Sequence, residues 1–168
     1  MIETERLILK PLTYEQLVKY IKADNSLEAE LNLNETSRTI SPELKEAFEQ
    51  TILPNVADTT KDYLYSTLWT VILKTDNKMV ADICIIGEPN ESGEIEIGYG
   101  TYDEFQKNGY MTEAVGGMII WAKSQPKVSS ITASTEKENI GSYTILLKNN
   151  FIKISETDTL FNWKLRLK

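Results

Sequence analysis

Residues 106 to 114 read Gln-Lys-Asn-Gly-Tyr-Met-Thr-Glu-Ala, between a stretch that alternates like a strand and one that repeats like a helix. A glycine at such a junction lets a ligand approach the backbone closely, and the first N–H groups of a helix lack intrahelical partners. Phosphate suits that position. Orphan amides and the positive end of the helix would hold an anion locally, whatever the formal net charge of −7. A nucleotide P-loop is excluded, because Gly109 is followed by Tyr110 and Met111 rather than by Lys and then Ser or Thr. Gly98-Tyr99-Gly100-Thr101-Tyr102-Asp103 opens like a dinucleotide fingerprint but has Asp103 where the third glycine belongs. From the residues alone, a plain helix start with Gly109 packed tightly against a sheet is an equal reading.

Other chemistries are narrowed by what is missing. Without histidine, the common nitrogen and sulfur metal sites and the Ser-His or Cys-His nucleophile pairs cannot be assembled, so no metal is expected. Cys84 is the single cysteine and lies in the apolar run ADICIIG, which makes it a buried core thiol. Glu94 and Glu96 share one face of a strand and Ile95 and Ile97 the other, so a carboxylate can face a substrate. The excess of carboxylates argues against nucleic-acid binding and mildly suits a cationic substrate.

Those groups must be positioned by one domain, 1–168, with enough apolar residues for a real core: 41% hydrophobic against 26% charged. The opening MIETERLILK is acidic and then alternating, and no apolar run approaches the roughly 18 residues of a membrane span, so a cytoplasmic protein with no membrane partner is expected. Strands are predicted over 6–12, 66–74, 79–87, 94–100 and 129–135, with a closing hairpin turning at Thr157-Asp158-Thr159. Helices are predicted after Thr13, from Ser26 over LEAEL, after Ser41-Pro42, over about 15 residues from Met111 to near Gln125-Pro126, and from about Asn139 to Lys148. Asn149 and Asn150 offer the left-handed conformation that stops a helix. This order predicts an α+β fold with a mixed, mostly antiparallel twisted sheet flanked by helices.

Gln106-Lys107-Asn108-Gly109-Tyr110-Met111, continued by Thr112-Glu113-Ala114, resembles motif A of the GCN5-related N-acetyltransferases, written Gln/Arg-x-x-Gly-x-Gly/Ala. Glu96-Ile97-Gly98-Tyr99 precedes it at the family's distance, and Asn139-Ile140-Gly141-Ser142 with Leu146 and Phe151 resembles the family's Asn-x-x-Ser helix and the Gly-Phe that ends it. The opening Glu3-Thr4-Glu5-Arg6-Leu7 is similar to the branch that contains the ribosomal-protein-alanine N-acetyltransferases. Met111 departs from the small residue usual there, so its side chain must point away from the ligand; Asn150 replaces the glycine before Phe151.

The resemblance implies the acyl-CoA N-acyltransferase fold, with a sheet of about six to seven strands, and acetyl-CoA as cosubstrate. It implies a diphosphate on the amides of Gln106, Lys107, Asn108, Gly109, Tyr110, Met111 and Thr112. The pantetheine arm would run beside Ile97, Gly98 and Tyr99, bonded by Asn139, in a gap between splayed fourth and fifth strands. An amine attacks the thioester directly in a ternary complex. Backbone N–H near Gly98 and Tyr99 would stabilise the oxyanion, Ser142 would meet the thiolate, and Glu96 would take the amine's proton. Tyr143 lies roughly 100° around the helix from Ser142 and ranks below it. An α-amine titrates near ~8 and a lysine amine near ~10.4, so a weak base favours a protein or peptide N-terminus. The alternatives are a small amine (polyamine, aminoglycoside or amino acid) and a catalytically silent coenzyme A-binding module. Many relatives pair, so a homodimer is expected. Tyr63, Tyr65, Trp69, Tyr99 and Tyr102 line an acceptor pocket on this reading, with core packing the preferred account of Trp69.

Overall fold

A computed structural model describes residues 1–168. Eight strands form one sheet: β1 (Ile2–Glu3), β2 (Leu7–Pro11), β3 (Leu68–Leu73), β4 (Lys78–Ile85), β5 (Glu94–Thr101), β6 (Ser130–Glu136), β7 (Ile152–Glu156) and β8 (Leu160–Arg166), in the spatial order β1-β2-β3-β4-β5-β6-β8-β7. Every neighbouring pair is antiparallel except β5 and β6. The strand beyond the expected six to seven is β1, whose two residues pair with Leu9 and Ile8 and are too few to display a period.

Six α-helices accompany the sheet. In α1 (Tyr14–Lys22) Thr13 and Gln16 form a reciprocal capping box, which fixes its start. The N-cap of α2 (Ser26–Glu30) is Asn25 rather than Ser26, because Asn25 takes the left-handed φ of 65° that leads into the helix. Ser41 caps α3 (Pro42–Ala47), accepting from the Leu44 amide at 3.0 Å. The helical path then widens into a π turn over Phe48–Ile52 before α4 (Leu53–Ala57). Pro54 lacks an N–H and its ring would meet the carbonyl of a regular turn, which the wider turn relieves. On the other side lie α5 (Tyr110–Lys123) and α6 (Ile140–Lys148). Asn150 takes the left-handed φ of 67° after α6, whereas Asn149 keeps a negative φ.

Alternation along β3 divides the interior. Trp69, Val71 and Leu73 join the larger core with Met111, Val115 and Met118 of α5, while Leu68 and Ile72 join a smaller one with Leu17, Tyr20, Leu27 and Phe48. Gly117 makes the close approach of β1 and α5: a Cβ there would stand 2.9 Å from the Thr4 methyl and 3.3 Å from Ile2. Trp69 is buried, donates its ring N–H to the Leu64 carbonyl at 3.0 Å and stacks edge-on with Trp121, as its packing role requires.

Candidate active site

The sheet opens at its parallel pair. β5 and β6 are in register from Glu94–Ser130 to Glu96–Thr132, after which β5 continues with β4 and β6 with β8. Glu96 turns its carbonyl to β4, accepting from the Ile86 amide, so strand alternation turns the N–H of Tyr99 to the opened edge. Gly98, one residue earlier, faces β4 with its main chain. Tyr99 is thus the better placed of the two expected oxyanion donors.

A cleft of about 510 Å³ lies against this opening. Its walls are Tyr99 to Thr101, Phe105 to Thr112, and Asn139, Gly141, Ser142, Thr144, Ile145 and Lys148 of the α6 region. All seven expected phosphate-loop residues, with Tyr99, Asn139 and Ser142, therefore meet in one place. Ile97 and Gly98 do not line it; the Ile97 side chain belongs to the core below.

The loop is shaped to present amides. Lys107 and Gly109 both take left-handed conformations, with φ of 66° and 77°. Asn108 donates its side-chain N–H to the carbonyls of Phe105 and Gln106, and Gln106 donates to the Thr101 carbonyl. Carbonyls are tied back while the donors of Tyr110, Met111 and Thr112 stay free of the helix, whose first internal bond runs from the Glu113 amide to the Gly109 carbonyl. Met111 buries its side chain in the core and turns only its main chain to the cleft, so its bulk does not obstruct an approaching anion. The cleft walls carry Lys107 and Lys148 and no carboxylate, so the cleft is locally basic in an acidic chain.

Arg6 was not legible as a site residue. It reaches the loop across 102 positions, donating to the Asn108 carbonyl at 3.0 Å and pairing with Glu113 at 3.3 Å, with its guanidinium 4.9 Å from the centre of the Tyr110 ring. The only hint was its place in the opening Glu-Thr-Glu-Arg-Leu segment. Lys148 and Thr144 were missed as well, being ordinary helix residues in sequence.

At the other wall, Ser142 donates its hydroxyl to Tyr99 Oη at 3.3 Å, and Tyr99 donates to the Ser142 carbonyl at 2.9 Å. Burial raises the Tyr99 pKa above the usual phenol value, the bond to Ser142 opposing it, so the phenol stays protonated and able to donate. Asn139 accepts with its side-chain oxygen from the Ser142 amide at 3.1 Å and caps α6, and its N–H₂ remains for a ligand. Tyr143 turns to Phe161 and Trp163 instead of the cleft. Glu96 is half-buried on the opposite face of β5 from Tyr99, near Cys84, whose thiol burial pushes up to about 11 and keeps neutral. Among the described residues no group of three or more His, Cys, Asp or Glu is placed to hold a metal ion, and no helix is long and apolar enough to cross a membrane.

The acetyltransferase (GNAT) domain model matches residues 6–152. The uncharacterized N-acetyltransferase YjdG of Bacillus subtilis (strain 168) is 30% identical over 166 residues, covering 97% of this chain and 96% of its own. Solved acetyltransferase structures share the fold. The ribosomal-protein-S5-alanine acetyltransferase of Vibrio fischeri aligns with a TM-score of 0.68 at 17% identity over 98% of this chain and 94% of its own. The spermidine N-acetyltransferase of Vibrio cholerae, in complex with CoA and spermine, aligns at 0.66 and 10% identity over 98% and 97%. With free amides, two lysines and a polar hydroxyl pair at an opened strand edge, the residues fit coenzyme A, and the chain belongs to the GNAT family of acetyltransferases, acyltransferases that use acetyl-CoA.

Proposed function

We propose that the protein acetylates the N-terminal α-amine of a ribosomal or other protein or peptide, by direct attack within a ternary complex in the cytoplasm. The observation that carries this reading is the cleft itself, which joins free helix-start amides to the Tyr99–Ser142 pair across the opened edge of β5. Bound acetyl-CoA supplies an activated thioester. The amides of Tyr110, Met111 and Thr112, with Lys107 and Lys148 beside them, hold the diphosphate. The Tyr99 N–H meets the charge that develops on the carbonyl oxygen. Ser142 Oγ turns its proton from Tyr99 to the departing sulfur, while Tyr99 stays fixed by the Ser142 carbonyl. Glu96 and the other carboxylates on the far face of β4 and β5 are the groups available to the amine's proton.

An α-amine is less basic than a lysine amine, so a carboxylate takes its proton more readily, which favours the α-amine. The competing acceptor is a small polycation, favoured by the excess of 25 acidic over 18 basic residues. Thiol release and acceptor mass, measured with acetyl-CoA and panels of peptides and small amines, separate the two. Turnover with peptides alone is expected; turnover confined to polyamines would replace the acceptor.

A further inference from the structure

We propose that Asp82, held by Tyr20 and Tyr102 on the face of the sheet beneath α1 and α2, is the carboxylate that receives the acceptor's ammonium and takes its proton. The proposal rests on the amine-acetylation reading and assigns a residue to it.

Asp82 lies in the middle of β4. Tyr20 Oη donates to its Oδ2, and the Tyr20 and Tyr102 hydroxyls are 3.3 Å apart. Its Oδ1 is enclosed and has no partner at all, and neither has Oγ1 of Thr70, its register neighbour on β3. A buried carboxylate oxygen without a donor is costly, and nothing in the fold repays it. A ligand N–H would.

The nearest cation is already committed. Arg38 bonds Glu28 at 2.8 Å and the Tyr20 carbonyl at 3.0 and 3.3 Å, and it stacks 4.4 Å from the centre of the Tyr20 ring. It lowers the Asp82 pKa from a distance without pairing. The strand that borders the cleft, β5, neighbours that of Asp82. Asp82 pairs in register with Gly100, and nothing lies within 4 Å of where a Cβ at 100 would be. Gly100 is itself a wall of the coenzyme cleft. Asp82 thus lies one strand from the cleft with only a glycine opposite it, and its enclosed Oδ1 must be uncovered for the ammonium to reach it.

The titratable and charged groups around Asp82 are Tyr20 on α1, Glu28 on α2, Arg38 between α2 and α3, Tyr102 after β5, Cys84 on β4 and Glu96 on β5. Burial outweighs the hydrogen bonds of the tyrosines and the charge of Arg38 and pushes Asp82 up to about 7. Burial and Asp82 itself push both tyrosines well above the usual phenol range, so they remain donors. A base poised near neutrality is efficient.

In the step assigned here, the ammonium passes one proton to Asp82 Oδ1. The freed nitrogen lone pair forms the C–N bond to the acetyl carbon, and the C–S bond breaks with its electron pair moving to sulfur. The nitrogen's second proton reaches that sulfur by way of Ser142 Oγ, giving the amide, free thiol and protonated Asp82, which then returns its proton to water.

Two probes, spermidine and a tetrapeptide with a free N-terminal alanine, test this against wild type, Asp82→Asn, Tyr20→Phe and Glu96→Gln, alongside carboxyl-carbon NMR titration of the free proteins. Wild type should acetylate at least one probe, with an acid limb in kcat/KM matching an aspartate that titrates near 7 in the free protein. Asp82→Asn should lower kcat by about 100-fold, leave KM for acetyl-CoA within about 2-fold, and abolish both the limb and the titration. Tyr20→Phe, which removes a donor to the carboxylate, should move both to higher pH, a change that a purely structural role would not produce. Glu96→Gln should keep the limb. Persistence of the limb in Asp82→Asn, absence of any aspartate titrating in that range, or acetylation of neither probe would overturn the assignment. Failure of acetyl-CoA to raise the wild-type Tm would sink the acetyltransfer reading as well; normal stabilisation beside an unchanged Asp82→Asn profile would sink this proposal alone.

Discussion

The two faces of the sheet are built on different principles. Beneath α5 the interior is large and apolar, with 24 buried hydrophobic residues, and the chemistry at its rim is carried by main chain: a left-handed glycine, free amides, an opened strand edge. Beneath α1–α4 the apolar core has only eight such residues, and it surrounds a buried polar network, Asp82–Tyr20–Tyr102 with Arg38–Glu28, that leaves two carboxylate oxygens and a threonine hydroxyl unpartnered. On the proposed reading, the main-chain site grips a constant group, the diphosphate. A side-chain network that leaves carboxylate oxygens unpartnered is buried at a cost in stability.

Changes at Gly109 should break the coenzyme face hardest. A valine there must take a φ of 77° and sets its Cβ 3.5 Å from Arg6, a strain of ~1–2 kcal/mol that displaces the amides. Acetyl-CoA affinity by calorimetry should fall by on the order of 10-fold or more, as a further ~1.4 kcal/mol of lost contacts implies. Ser142→Ala should lower kcat by about 10-fold while KM for acetyl-CoA stays unchanged, because the role proposed for the hydroxyl is on the leaving group and not on the diphosphate. Arg6→Ala should do the reverse, raising KM for acetyl-CoA by about 3-fold with kcat retained, since its bonds steady the loop from an exposed position.

The smallest expected effect probes the other face. The folded state holds Asp82 at about 7 against an ordinary 3.8, so folding favours its protonated form. That contribution is fully present below the ordinary carboxylate range and is lost as pH rises through 7. Wild-type Tm should therefore drop between pH 5 and pH 8 by more than that of Asp82→Asn. Equal slopes would mean that Asp82 is not buried as a carboxylate.

Legibility in the sequence followed the same division. The loop at 106–112 and the Asn139–Ser142 helix start could be read because a run of neighbouring residues specifies each, and the cleft gathers them. The Asp82 network could not: Tyr20 and Asp82 are 62 positions apart and Tyr20 and Tyr102 are 82, and no local period marks such meetings. Arg6 failed for the same reason. The capping role of Asn139 adds a local demand that takes its oxygen and leaves its N–H₂ for a ligand. Asn25 displaced Ser26 as a cap because backbone conformation, not side-chain preference, decided that turn. Helical periods located α1, α5 and α6, α5 running Tyr110–Lys123 where about 15 residues are predicted, while the segment after Ser41 is interrupted by the π turn at Phe48–Ile52.

Isothermal titration of acetyl-CoA into the wild-type protein and Gly109→Val bears most directly on the claim that unpaired amides at the start of α5 hold the coenzyme. Saturable one-site binding by wild type, weakened in the variant, is predicted. No heat with wild type, or equal affinity in the two proteins, would contradict it.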